Sequence, residues 1–295
     1  MLYSIIIATY NRAALLQKCL EALVKQSVNN NTYEIIVIDD GSTDNTKTIL
    51  EEFAVSNKNL NFTYLTQKNR GVASARNAGI DRAKGEIVFF TDDDCVVPPN
   101  WIATLANGFQ RHPDVAGVGG WYEYPAEWHA QKLFVRYYKE LFFRTYGNTT
   151  ITQEIKNNSF SKNPAGNTSN MSYKKDILNG VGGFDGKIDF VGLVDWELKK
   201  RLADGGYSLL YIPYNVIHLK PLGIKDVAKK FINIGRGGYY LSKKHPDAFL
   251  KYYPAFWKYF YRMKAFRGSM RLMALVDFLF TRIGWEYQKQ SDLTQ

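Results

Sequence analysis

GEIVFFTDDDCVVPP, residues 85–99, reads as an apolar strand that runs straight into three consecutive carboxylates. Glu86 to Phe90 supply the partly β-branched run expected of a strand covered on both faces, and Pro98 and Pro99 stop its continuation. In extended backbone Asp92 and Asp94 project to one side and Asp93 to the other, so at least two charges share a small space. Such crowding is costly unless a cation is present. A divalent ion held by one or two carboxylates, with water and phosphate oxygens in its other positions, is the usual arrangement for Mg2+ or Mn2+ on a nucleotide diphosphate. The alternative is a solvated acidic loop.

Outward from this strand the chain alternates strands with helices. Ser4 to Ala8 is a first strand, followed by Thr9, Tyr10, Asn11 and Arg12 and an amphipathic helix to about Gln26. Glu34 to Asp39 is a second, ending in Asp40-Gly41-Ser42; Ser42 to Asn45 is rich in helix-capping residues, and a helix follows to about Phe53. Asn61 to Leu65 is a short third strand, and the turn at Asn69-Arg70-Gly71 opens a helix over Val72 to Ala83. The pattern predicts an α/β fold with a mostly parallel, Rossmann-like central sheet flanked by helices. In open parallel sheets ligands bind beyond the carboxyl ends of the strands. That rule gathers Thr9, Asn11, Asp39, Asp40 and Asp92 to Asp94 on one rim.

Neither G-x-G-x-x-G after the first strand nor G-x-x-x-x-G-K-[ST] anywhere is present. A dinucleotide dehydrogenase and a P-loop kinase are both disfavoured, and phosphate falls to the metal and to basic groups such as Arg76. With 295 residues the chain can bury a sizeable core. Cys19 and Cys95 make neither a disulfide framework nor a ligand spacing, which predicts a reducing, cytoplasmic setting. The N-terminus shows no basic region or cleavage site of a signal peptide, and no window offers the ~18 uncharged apolar residues of a membrane span.

SIIIATYNR at 4–12, EIIVIDDGSTDNT at 34–46, NRGVASARNAGI at 69–80 and GEIVFFTDDDCVVPPNWI at 85–102 resemble, in order and spacing, the inverting nucleotide-sugar glycosyltransferases of family 2. The resemblance continues through NMSYKKDILNGVGGFD at 170–185, VDWELKKRL at 194–202 and His218. It implies a nucleotide-diphosphosugar transferase fold over residues 1–222, with a nucleotide-binding part at 1–112 and an acceptor-binding part at 113–222. By the same resemblance Thr9, Asn11, Arg12 and Asp40 line the nucleotide pocket, Asp40 accepting from a uracil-like ring, and Arg76 lies beside the nucleotide. Asp92 and Asp93 contact ribose or sugar hydroxyls, Asp94 binds Mn2+ or Mg2+, and His218 falls where some members place a further metal or diphosphate contact. Asp195 falls at the catalytic base, and its place near a helix N-terminus favours the ionised form. Trp196 and Glu197 follow on the acceptor side, although Trp196 also suits a core. The family usually carries Glu-Asp at the base; here Val194 stands in place of the Glu.

Gly147 to Asn163 is polar and unpatterned, either a lid over the donor or a surface loop. From Lys225 to Gln295 there are 14 Lys and Arg against 5 Asp and Glu, which is +9 of the chain's +10. Fifteen of its 44 aromatic residues lie between Tyr239 and Tyr287, with Met270 to Phe280 the most apolar part. Residues 223–295 are thus predicted as a helical, basic and aromatic appendage. It suits an anionic membrane surface, internal packing or a homodimer; no nucleic-acid module accompanies it.

The whole predicts a metal-dependent inverting glycosyltransferase. It moves a sugar from a nucleotide-diphosphate sugar, a UDP-sugar first, to a hydroxyl of a glycan or lipid-linked acceptor in cell-surface polysaccharide or glycoconjugate synthesis, working peripherally at the inner face of the membrane. Two alternatives stand beside it. A catalytically inactive sugar-nucleotide-binding partner has Val194 as its support. A sugar nucleotidyltransferase would want a Gly-rich basic loop where this chain has TYNR.

Overall fold

The computed structural model describes residues 2–146, 154–188, 193–220, 223–249, 266 and 268–293. The first part of the polar stretch, 147–153, and residues 250–265 of the aromatic, basic region lie outside the described residues. The chain forms two compact units. The first comprises Met1–Pro125, Thr145–Asp189 and Asp195–Lys220, the second Ala126–Arg144, Phe190–Val194 and Pro221–Gln295.

The first unit is an α/β layer structure. Among the described residues an eight-stranded sheet runs in the order β3-β2-β1-β4-β9-β6-β10-β8. The strands are β1 Tyr3–Thr9, β2 Tyr33–Asp39, β3 Asn61–Thr66, β4 Ile87–Phe90, β6 Gly117–Gly119, β8 Ile155–Asn157, β9 Met171–Lys174 and β10 Leu209–Tyr211. β2 is buried at all seven positions, as its run of Ile and Val requires of a strand with helices on both faces, while β3 at the edge exposes Asn61, Thr63 and Thr66. Glu34, near the start of β2, is a buried acid on the side of the sheet away from the rim. Its Oε1 accepts from Ser4 Oγ at 2.6 Å and from the Lys84 amide at 2.6 Å, so the buried carboxylate is hydrogen-bonded. Helices α1 Ala13–Val24, α2 Thr46–Ser56, α3 Val72–Arg82 and α4 Trp101–Arg111 connect or follow the strands. α3 lies close on β1 because Gly79 has no side chain: a Cβ there would sit 2.4 Å from Ile6 Cγ2.

Pairs β3-β2, β2-β1, β1-β4 and β6-β10 are parallel, whereas β9 is antiparallel to both β4 and β6. That reversal has a functional consequence. The start of β9 lies at the same rim as the ends of β1, β2 and β4, bringing the turn Thr168–Asn170 to the carboxylates. A small second sheet pairs β5 Cys95–Val96 with β11 Val216–His218, and β11 with β7 Tyr122–Glu123. Its register sets His218 opposite Cys95, which is how His218 reaches Asp94 from far along the chain.

The second unit is helical in its described residues. It includes α5 Ala126–Gln131, most of α6 Leu133–Tyr146, α9 Ile224–Lys244 and the long helix Ser269–Leu293. α9 and the long helix cross in close contact, since a Cβ on Gly235 would meet Thr281 O, and one on Gly284 Ile232 O, at 1.9 Å. Tyr239 and Trp285 pack edge to face at 5.4 Å, and Tyr137 Oη donates to the buried Asp277 Oδ2 at 2.6 Å. No described helix is long and apolar enough to cross a membrane.

Candidate active site

The strand stops after Phe90; Asp93 and Asp94 turn inward and Asp92 stays partly exposed. Asp93 and Asp94 are each 2% exposed, and the Arg12 Nη1 bridges them, 2.8 Å from Asp93 Oδ1 and 2.9 Å from Asp94 Oδ2. Thr9 Oγ1 donates to Asp93 Oδ2 at 2.8 Å. Thr9 and Arg12 therefore hold the acidic cluster from the end of β1. Burial raises both Asp93 and Asp94 above the ordinary carboxylate range, with Arg12 opposing and the neighbouring aspartates adding to the shift. Burial would also lower Arg12, but Asp93 and Asp94 outweigh it and hold the guanidinium charged.

Arg76, on the buried face of α3, joins the two halves of the site. Its Nη2 is 2.9 Å from Asp92 Oδ1 and its Nη1 3.4 Å from Asp195 Oδ1, with the guanidinium 5.4 Å from the Phe184 ring centroid. Burial works to raise Asp92, but Arg76 and the Ser169 hydroxyl, 2.5 Å from Asp92 Oδ2, hold it below the ordinary range. Asp195 lies in the first turn of α8 Val194–Asp204. Its Oδ1 accepts from Thr168 Oγ1 at 2.8 Å and its Oδ2 from the Thr168 amide at 3.2 Å. Burial nevertheless raises its pKa, with Arg76 and Thr168 opposing and Asp92 adding. The helix terminus, Arg76 and Thr168 favour the ionised form, and desolvation acts against them.

His218 Nε2 is 3.4 Å from Asp94 Oδ1, and the ring packs against Tyr122 and Tyr124 at 5.3 and 5.4 Å. Among the described residues, Asp92, Asp94 and Cys95 offer ligand atoms within 4.8 Å of one another. Burial pushes the Cys95 thiol well above its ordinary value, so it stays protonated and suits a hard ion poorly. Carboxylates with raised pKa beside an imidazole fit a divalent cation, because a second positive charge favours their ionised forms.

Other expected residues also hold the loops around the rim. The Asp40 carboxylate accepts from Gln67 Nε2 at 2.7 Å and from the amides of Arg70 and Gly71 at 2.9 Å each, so it shapes the 67–71 loop with the oxygens expected to face a nucleobase. Asn11, with φ at +52°, accepts through Oδ1 from the Thr43 amide at 2.7 Å and so ties the loop after β1 to the loop after β2. Glu197 is fully buried, and both its oxygens are bonded to Arg201 between 2.6 and 3.0 Å. Arg201 in turn donates to the carbonyls of Val181 and Gly183. Glu197 thus anchors the Gly-rich turn, and this corrects its expected place on the acceptor side. Trp196 is half-buried and meets Phe160 edge to face at 6.1 Å. Two features were missed in sequence: the Thr168–Asn170 turn, and the buried Lys199, one helical turn after Asp195, whose amine donates to Asn163 O.

Residues 4–181 match the family profile for glycosyl transferase family 2. The chain belongs to this family. Glycosyl transfer is accordingly its reaction class. The glycosyltransferase AglE of Haloferax volcanii is 30% identical over 239 residues, a match covering 79% of this chain and 72% of AglE. The glucosyl-dolichyl phosphate glucuronosyltransferase of the same organism is 25% identical over 194 residues, covering 63% of this chain and 56% of that protein. Among solved structures, a mannosyltransferase from Pyrobaculum calidifontis, in complex with GDP-Man and Mn2+, superposes with a TM-score of 0.63 at 18% identity. That alignment covers 99% of this chain and 75% of the other, and shows a shared fold.

Proposed function

We propose that this family 2 member is an inverting glycosyltransferase that moves a sugar from a nucleoside-diphosphate donor to the hydroxyl of a glycan or lipid-linked acceptor, with Asp195 as general base. The observation that carries this reading is Arg76, one guanidinium held between Asp92 on the donor side and Asp195. Asp195 takes the acceptor's hydroxyl proton on Oδ2, since Oδ1 already receives both Thr168 Oγ1 and Arg76. The acceptor oxygen forms a bond to the anomeric carbon as the bond to the diphosphate breaks, the electron pair leaving with the diphosphate. Arg76 supplies positive charge beside the reacting centre, and Asp92 and Asp93 orient sugar or ribose hydroxyls. A divalent ion, Mn2+ or Mg2+, would be held by Asp94 and His218, where it supplies charge against the leaving diphosphate. Asn11, Thr9 and Arg12 act here by shaping the nucleotide rim, and Asp40 by holding the 67–71 loop. Trp196 is proposed to meet the acceptor.

A thermal-shift panel of UDP-, GDP-, dTDP- and CMP-sugars with and without Mn2+ tests this, because a ligand bound by the folded state raises the melting temperature. The UDP-sugars come first from the family resemblance, and GDP-mannose enters because the Pyrobaculum protein is in complex with it. One nucleotide class should stabilise the protein in Mn2+ far more than in EDTA, and Asp94→Asn should remove the difference. Equal shifts in Mn2+ and EDTA would contradict the metal assignment. The second unit is proposed to rest on an anionic membrane surface, peripherally and on the cytoplasmic side. Leu272, Leu279, Ile283 and Tyr287 expose 61, 48, 52 and 60% on one stripe of the helix Ser269–Leu293.

A further inference from the structure

We propose that the turn Thr168-Ser169-Asn170 is the positioning element of the active site, with Thr168 setting the plane of the base and Ser169 setting the donor-side carboxylate. The inference rests on the reading of Asp195 as base. Three consecutive side chains each grip a different part of the first unit. Thr168 gives its amide and its hydroxyl to the two oxygens of Asp195, which fixes the carboxylate in rotation as well as position. Ser169 Oγ donates to Asp92 Oδ2, while Ser169 O accepts from Thr91 Oγ1 at 3.0 Å. Asn170 anchors the whole turn in the core. Its Nδ2 donates to the carbonyls of Trp121 and Tyr214 at 2.8 and 2.7 Å, and its Oδ1 accepts from the buried Trp101 Nε1 at 2.8 Å.

The turn itself has little freedom. Thr168, Ser169 and Asn170 are 1, 4 and 0% exposed, Asn167 Oδ1 accepts from the Ser169 amide at 2.9 Å, and the Asn170 amide donates to Asn167 O at 3.0 Å. A donor held this rigidly costs no reorganisation when the carboxylate must stay put during proton transfer. Thr168 and Arg76 both favour the ionised form of Asp195. The other groups facing it are Asp92 after β4, Tyr173 of β9 and Lys199 on its own helix. Thr168 and Ser169 therefore divide the labour. One acts on the step at the base, the other on the hold on the donor.

The test needs no knowledge of the acceptor. In the full chain labelled with 13C at aspartate carboxyls, the Asp195 signal, assigned by its loss in Asp195→Asn, is titrated in wild type, Thr168→Val and Thr168→Ser. Valine keeps the shape and removes the hydroxyl donor, so the midpoint should rise in Thr168→Val and return in Thr168→Ser. In parallel, release of UDP from UDP-glucose and of GDP from GDP-mannose is followed with Mn2+. On whichever donor turns over, Thr168→Val should lower kcat by about ten- to a hundred-fold, the scale of one hydrogen bond to a charged group, with donor KM unchanged. Ser169→Ala should raise donor KM and leave the Asp195 midpoint in place; this variant keeps the proposal exposed if Thr168→Val fails to fold. An unmoved midpoint in Thr168→Val, or a Ser169→Ala variant with wild-type KM, overturns the positioning role. If the midpoint moves as stated while Asp195→Asn turns over normally, the turn positions Asp195 but the base is another group.

Discussion

Asp195 and Lys199 lie one turn apart on α8, Lys199 buried and Asp195 partly so, and desolvation moves their proton equilibria in opposite senses. For Asp195 it favours the neutral acid, so the acid limb of turnover should lie above the ordinary carboxylate range, rising with pH as the base ionises. General-base assistance is typically worth about 10²–10⁴-fold, and Asp195→Asn should lose that much turnover while donor affinity survives. A variant that keeps near wild-type turnover would move the proton to another acceptor. Burial pushes Lys199 down to about 7. Between pH 7 and the ordinary lysine value, ~10.4, the unfolded chain binds a proton that the folded chain does not, so stability rises with pH across this window and is level below it. Lys199→Met should therefore raise Tm at pH 7, by on the order of a few kcal/mol in stability, and the advantage should fade toward pH 10.5. A gain that is the same at both pH values would show that packing, not charge, is responsible.

At the scale of elements, the site depends on how closely α3 approaches β1. Gly79→Ala would drive a Cβ into Ile6, forcing the helix outward and carrying Arg76, three residues earlier, with it. Overpacking of this kind costs about 1–3 kcal/mol, and a urea titration should show it as a lower midpoint with unchanged slope. Wild-type stability in Gly79→Ala would mean that the helix shifts at no cost. The strands β1, β2 and β4 were legible because their Ile, Val and Phe runs have the unbroken apolar character of a doubly covered parallel strand. The carboxylates at their ends were legible because the carboxyl-end rule needs no more than strand direction. β9 was not. MSYK carries no mark of running against its neighbours, so nothing local placed Thr168 and Ser169 on the rim. Glu197 misled for a related reason: its partner Arg201 lies one helical turn on, and sequence does not say which side of α8 faces the core.

The molecule as a whole separates its chemistry from its charge. The first unit carries the acidic rim, while residues 225–295 hold nearly all of the net positive charge. If an anionic surface is the partner, the full chain should bind phosphatidylserine vesicles at low salt and release at high salt, as screening shortens the reach of surface charge. Leu279→Ser with Ile283→Ser should weaken binding at any salt, since it removes apolar area. An intact chain that ignores such vesicles at low salt would assign the exposed stripe to another use. The reaction itself is the central claim. Direct displacement with one carboxylate base inverts the anomeric centre, whereas any route through a glycosylated enzyme retains it. The most direct measurement is the proton NMR coupling of the sugar at C1, recorded on the first product formed from an anomerically defined nucleotide-sugar in Mn2+. The configuration opposite to the donor's is predicted, and a product that keeps the donor's configuration would contradict the account.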